Sequence, residues 1–396
     1  MTSIHAGTLY TGTDVRTDVH INFDGPRIAS VGTQAEGTVA ARFDVVTPAF
    51  IDPHAHIGMV RAGEPGGEAE SNEHLDSIIA HGDALDSVNM DDTSFRDSLE
   101  GGVLYSCIVP GSGNIVGGRS AVVRNYGDTT GDAFIGRAGV KGALGYNPMS
   151  TRDWQGKRPY TRMGALALLR ERLHATRAKV RKEEAVKRRS SDPDDLLESM
   201  PEYSYEEVIL KDLLTRAERF RVHVHRSDDI EALLRIVDEF SLSVTVEHSC
   251  DVYREETYRR LAKRSIPVVF GPLDSFAYKV ELKHEHWSNL RHLVASGVTY
   301  GLMTDHPVIL QRNLALCLRW FTRVGLTKQQ AIEIITRRNA EILGLTRTLG
   351  TLERGKWASF CGWNGDPFDL TKYVVAAYGE GKLVFQDATA RSAAAG

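Results

Sequence analysis

Thr47-Pro-Ala-Phe-Ile-Asp-Pro-His54-Ala-His56-Ile-Gly58 is the stretch from which the rest of the chain can be read. An apolar run, Val45 to Ile51, leads into two histidines one residue apart. Side chains two apart on an extended strand share a face, so both imidazoles can address one metal ion. The pair equally fits two ordinary histidines at a strand end, and the choice depends on whether the chain repeats the theme.

Downstream, apolar strand candidates alternate with amphipathic helices. The strands are read at 103–109, 139–145, 221–225, 243–248, 268–271 and 299–304, and the helices at 165–189, 205–219, 230–240, 253–263, 290–296 and 328–342. This alternation argues for parallel β/α units. No Gly-x-Gly-x-x-Gly opens a helix, so the expected fold class is α/β, a (β/α)8 TIM barrel, over a doubly wound sheet. Residues 4–46 and those after 345 read differently, as short strands joined by Gly and Asp turns. We expect a small β-sandwich domain formed from both chain ends, residues 1–48 and 346–396, around a barrel at 49–345. The basic run 179–189 and the loop 190–195 read as a solvated helix end and a turn.

The strand ends carry the chemistry. His54 and His56 end the first strand, Lys141 lies on Gly-Val-Lys-Gly-Ala-Leu-Gly, and His223 and His225 end Arg-Val-His-Val-His. His248 ends Val-Thr-Val-Glu-His, and Asp305 and His306 follow Gly-Leu-Met-Thr. In a barrel such ends converge on one mouth. Neutral imidazoles with a carboxylate suit Zn2+, one ion or two, with Mn2+ or Fe2+ as alternatives. An ion so held lowers the pKa of its water toward about 7, and Asp305 is placed to accept that proton and return it to a leaving nitrogen.

The order His-x-His after Phe-Ile-Asp-Pro, then strand Lys, strand His, strand His and Thr-Asp, resembles the amidohydrolase superfamily of metal-dependent hydrolases. Gly-Ser-Gly-Asn-Ile-Val-Gly-Gly (111–118), Thr-Arg-Met-Gly (161–164), His-Arg-Ser-Asp-Asp-Ile (225–230) and Met-Thr-Asp-His-Pro (303–307) are similar to its imidazolonepropionase-related branch. The similarity runs from Gly7 to about Gln386. It implies His54 and His56 with Asp305 on a buried metal, and His223 and His248 on a more exposed one. Lys141 is the implied bridge, carboxylated as in hydantoinases. Carboxylation also removes the cost of a buried ammonium beside dications.

Two departures stand out. Residues 145–148 read Gly-Tyr-Asn-Pro where that branch carries Gly-Glu-Asn-Pro, so Tyr146 cannot supply a carboxylate, though its hydroxyl can donate to a developing oxyanion. Residues 356–360 read Lys-Trp-Ala-Ser-Phe in place of Lys-Asp-Ala-Asp-Leu, a change we expect to affect local packing. Asn114, Arg162 and His225 are further candidates to face substrate, and each also suits an ordinary turn or ion-pair role. His306 supports its loop, and His284 and His286 read as surface residues.

The leading expectation is an enzyme hydrolysing a C–N bond other than a peptide bond, in a cyclic or linear amide. A biosynthetic cyclase would run the same machinery backwards. A deaminase of this scaffold carries a glutamate shortly after the strand-five histidine, absent here until Glu231. A metal-free scaffold protein would have lost ligands that this chain retains.

The formal charge of -4 over 396 residues gives no polyanion-binding signature, so the expected partner is a small molecule and not nucleic acid. No stretch reaches the roughly 18 apolar residues of a spanning helix, and no basic, then apolar leader opens the chain, so a cytoplasmic location without membrane contact is expected. Cys107, Cys250, Cys317 and Cys361 are scattered and read as reduced, packed thiols. The resemblance also implies a homo-oligomer.

Overall fold

The computed structural model describes residues 1–189 and 191–389. The chain opens with strands β1 (Thr2–Tyr10), β2 (Val15–Asp24), β3 (Arg27–Gly32) and β4 (Thr38–Pro48). Strands β5 (Phe50–Ala55), β6 (Val103–Ile108), β7 (Val116–Arg124), β8 (Phe134–Ala143), β9 (Phe220–Val224), β10 (Val244–His248), β11 (Val268–Phe270) and β12 (Tyr300–Leu302) follow. The last three are β13 (Phe360–Trp363), β14 (Val374–Gly379) and β15 (Lys382–Gln386).

Both chain ends share one seven-stranded sheet, ordered β15-β14-β13-β4-β1-β2-β3. Its core is Ile4, Leu9, Val19, Ile21, Phe23, Val46 and Phe360; in β2 these alternate, as a strand with one buried face requires. The apolar run 45–51 is not one strand. It breaks at Ala49, giving its first half to this sheet and its second half to the barrel. Periodicity cannot show such a break, because both halves are buried.

The barrel sheet runs β5 through β12 in chain order. Its pairs are parallel except at β7, which lies antiparallel to β6 and β8. That strand was absent from the sequence reading: its Gly117 and Gly118 read as loop, and a hairpin connection needs no helix to announce it. Six helix candidates are present with shifted ends. The one read at 205–219 stops at Leu214, and the one at 328–342 contains a π-helical turn, Ile334–Arg338. Residue 190 lies outside the described residues, and the expected turn after it gives way to the helix Pro193–Ser199, capped by Asp192 accepting the Asp194 N–H.

A seam joins the first and last barrel strands. Asn339, directly after the π turn, donates to Ile51 O (2.7 Å) and Leu302 O (2.9 Å) and accepts from Leu302 N–H (3.2 Å). A Cβ at residue 301 would stand 1.9 Å from Asn339 Oδ1, so Gly301 makes this approach possible. Toward the mouth, Asp52 continues the stitch. It accepts from Thr304 N–H (3.3 Å), the Thr304 hydroxyl and Gln311 Nε2 (3.0 Å). Its burial pushes its carboxyl up to about 6. Among the described residues no helix is long and apolar enough to cross a membrane, and all four cysteines are buried and free.

Candidate metal centre

Barrel geometry brings His54, His56 and Asp305 together across the seam, since β5 and the segment after β12 are neighbours. His54 Nδ1 lies 2.8 Å from Glu247 Oε2, and His56 Nδ1 lies 2.8 Å from Val109 O. A carbonyl and a carboxylate only accept, so in both rings Nδ1 carries the proton and Nε2 presents a lone pair. Those nitrogens face Asp305 Oδ1 at 3.4 Å (His54) and 3.2 Å (His56). Two lone pairs turned on a carboxylate oxygen repel unless a cation or proton lies among them. Donors around a tetrahedral ion with bonds of about 2.0–2.1 Å stand about 3.4 Å apart, close to this spacing.

A second cluster, His223, His225 and His248, adjoins the first; the His54 and His248 ring centroids are 5.0 Å apart. His248 Nδ1 donates to Gly271 O (2.9 Å), and His223 Nδ1 meets Ser112 Oγ (2.9 Å). The Nε2 atoms of His54, His223 and His248, Nδ1 of His225 and Oδ1 of Asp305 are all buried without a hydrogen-bond partner. So many polar atoms without hydrogen-bond partners in one place would be costly in a finished core. The residue set therefore fits divalent metal.

The electrostatics agree. Burial pulls His54 down to about 4, helped by Lys141, and drives His223 and His248 well below the usual imidazole range. These rings are neutral at pH 7, the ligating form. Burial works to raise Asp305, but a proton shared with His56 and His54, together with Lys141, outweighs it and holds the carboxyl at about 2. Two ligand candidates occupy left-handed backbone, His248 at φ +78° and Asp305 at φ +53°. Such conformations cost on the order of 1–3 kcal/mol and collect at functional sites.

Lys141 is fully buried beside both clusters, its Nζ donating to Pro110 O (2.9 Å) and Ser112 Oγ (3.1 Å). The other candidates are placed as follows. Asn114 is buried and ties a loop, donating to Glu73 O (2.9 Å) and accepting from Arg158 Nη1 (2.6 Å). Arg162 reaches Asp229 at 3.2 Å. Tyr146 is half exposed and makes its polar contact through its backbone N–H, to Glu281. His306 accepts the Gln311 N–H, His284 meets Asp251, and His286 is exposed and receives the Ser288 N–H. A cavity of about 420 Å³ opens on this face between Met59, Asn72, His74 and Pro110.

Two residues escaped the sequence reading. Glu247 stands inside the barrel, bonded to His54 and 3.1 Å from Arg221 Nη2, with Thr245 also donating to it. Its signal was a carboxylate next to a strand-end histidine, Val-Glu-His. Glu281, in the turn Val280–Leu282, had no periodic signal at all.

Comparison with known proteins identifies the family and the fold. A profile of the amidohydrolase family matches residues 203–386. An amidohydrolase structure from Thermotoga maritima MSB8 is 30% identical, with a TM-score of 0.90 over 98% of this chain and 100% of that one. A prolidase structure complexed with N-methylphosphonate-L-proline is 17% identical, with a TM-score of 0.60 over 98% of this chain and all of that one; it shares the fold. The curated amidohydrolase tasK of Hapsidospora irregularis is 26% identical over 365 residues, which is 86% of this chain. This chain spans about a third, 36%, of that relative's length.

Proposed function

Because the chain belongs to the amidohydrolase superfamily, we propose that it is a metal-dependent hydrolase of a C–N bond in a cyclic or linear amide or a small amino-acid derivative. The carrying observation is the set of buried, partnerless donor atoms spaced as ligands at the barrel mouth. His54, His56 and Asp305 would hold one divalent ion, and His223 and His248 a second. Zn2+ is the first choice, since imidazole and carboxylate suit it. Such an ion supplies Lewis acidity toward a carbonyl oxygen and a water-derived nucleophile near neutrality.

The chain's own groups do the rest. Glu247 and Val109 O fix the tautomers of His54 and His56, so that Nε2 of each ring stays deprotonated. Asp305 is ionised at neutrality and keeps 14% of its side chain open. It accepts a proton from the attacking water and delivers it to the leaving nitrogen. Lys141 is drawn down by burial to about 8, which makes available the free amine that carbon dioxide adds to. Metal uptake that rises with bicarbonate in the wild type and not in Lys141→Ala checks that step.

Metal content, measured together with turnover of a panel of cyclic and linear amides, tests the whole reading. We expect stoichiometric metal and activity lost on chelation, with Asp305→Asn inactive but folded. Protein free of metal, unchanged by chelators, would sink it.

A further inference from the structure

We infer that Glu281 and His225 join His223 and His248 in a second cation site with four protein donors. The inference rests on the metal-dependent reading above and names the side chains that complete its second centre.

Glu281 is 2% exposed, and its two oxygens are used differently. Oε2 accepts the Tyr146 N–H at 2.9 Å. Oε1 is buried with no hydrogen-bond partner, 3.6 Å from His223 Nε2 and 3.8 Å from His225 Nε2. One oxygen is anchored and the other is aimed at the imidazoles.

The gaps decide what the aim is for. A carboxylate paired with a protonated imidazole closes to about 2.7–2.9 Å. The observed separations exceed that and approach the roughly 3.4 Å between donors that share a tetrahedral ion. Nor is a neutral imidazole–carboxylate bond present, because both atoms of the His223–Glu281 pair remain partnerless.

The surroundings are shaped to admit the carboxylate. Gly145 has φ +83°, and a Cβ there would stand 2.9 Å from Glu281 Oε2. A side chain at 145 would push Glu281 off its anchor. His225 differs from its neighbours in that Nδ1 is buried with no partner, so no acceptor fixes its tautomer. It can offer either nitrogen. Three neutral imidazoles and one carboxylate form a donor set that suits a divalent ion of the zinc class.

Cobalt(II) titration of the full-length apoprotein tests this, with metal analysis and visible absorption as readouts for wild type, Glu281→Ala, Glu281→Gln, His225→Asn and His54→Asn. Circular dichroism reports on folding, and Glu281→Gln keeps shape where the alanine variant loses it. We expect two cobalt ions in the wild type, and a second ion bound at least about tenfold more weakly in the Glu281 and His225 variants. His54→Asn should retain the absorption bands of the site at Glu281. Wild-type uptake of both ions by Glu281→Gln and Glu281→Ala would overturn the inference. So would a wild type with a single ion that survives in Glu281→Gln and vanishes in His54→Asn, although the hydrolase reading would then stand. A wild type that takes up no metal overturns both.

Discussion

Glu247 sits between a charge it neutralises and a ring it orients, so its loss should register twice. Arg221, fully buried, would be left with Pro53 O (2.5 Å) and no carboxylate. Breaking a buried pair in this way costs about 3–5 kcal/mol. We expect Glu247→Ala to lower the urea midpoint accordingly, and Glu247→Gln to fold while binding metal about 10- to 100-fold more weakly, by equilibrium dialysis. His54→Asn should reduce turnover roughly 100-fold or more while leaving the melting curve of the metal-free protein little changed. Histidines at strand ends were legible because few structural roles call for so many of them at one spacing. Glu247 was not singled out, since a lone acidic residue in an apolar strand also reads as an outward-facing position. Its inward aim follows from Arg221 on the neighbouring strand, which only the fold brings to it, and is shared by Thr245 two residues earlier on its own strand.

Among the elements, the helix Arg162–Arg189 and the helix Tyr205–Leu214 are joined by Glu183, which accepts from Lys187 (2.6 Å), Lys211 (2.5 Å) and the Tyr203 hydroxyl (2.8 Å). Burial works to raise this carboxyl, but the three donors outweigh it and hold it at about 2. A depressed carboxylate gives stability that is fully present above its unfolded value, 4.5, and is lost as pH falls toward 2. Glu183→Gln should therefore be less stable than wild type at pH 7 by roughly 1.5–3 kcal/mol, and the gap should narrow as pH falls through that window, by urea denaturation. At the seam, Asn339→Ala strands two carbonyls and an N–H, each worth about 1–3 kcal/mol, and should cost more than any single surface change. The repeating strand and helix pattern was readable for the parallel units. The antiparallel β7 was not, because Gly117 and Gly118 interrupt its apolar alternation and the link that returns it alongside β6 contains no helix.

At the scale of the molecule, the barrel class and the sheet built from both chain ends could be read from the sequence, because helices separate the strands of the middle and short Gly and Asp turns those of the ends. Where the two sheets trade the chain, at Ala49, could not. If the donor clusters bind metal only in the folded state, free ion at about 1,000 times its Kd adds about 4 kcal/mol of stability. Stripping it with a chelator should then lower the melting temperature by several degrees and restoring it should reverse the shift, by differential scanning calorimetry. The seam adds an element of timing. His54 and His56 leave the ribosome some 250 residues ahead of Asp305, and Asp52 meets Thr304 only when the last barrel strand arrives. The first trio of donors is thus unavailable to a nascent chain that has not yet reached Asp305. Capture of an ion there would mark the arrival of the last barrel strand, and a chain still short of it could neither sequester metal at that trio nor act prematurely on substrate.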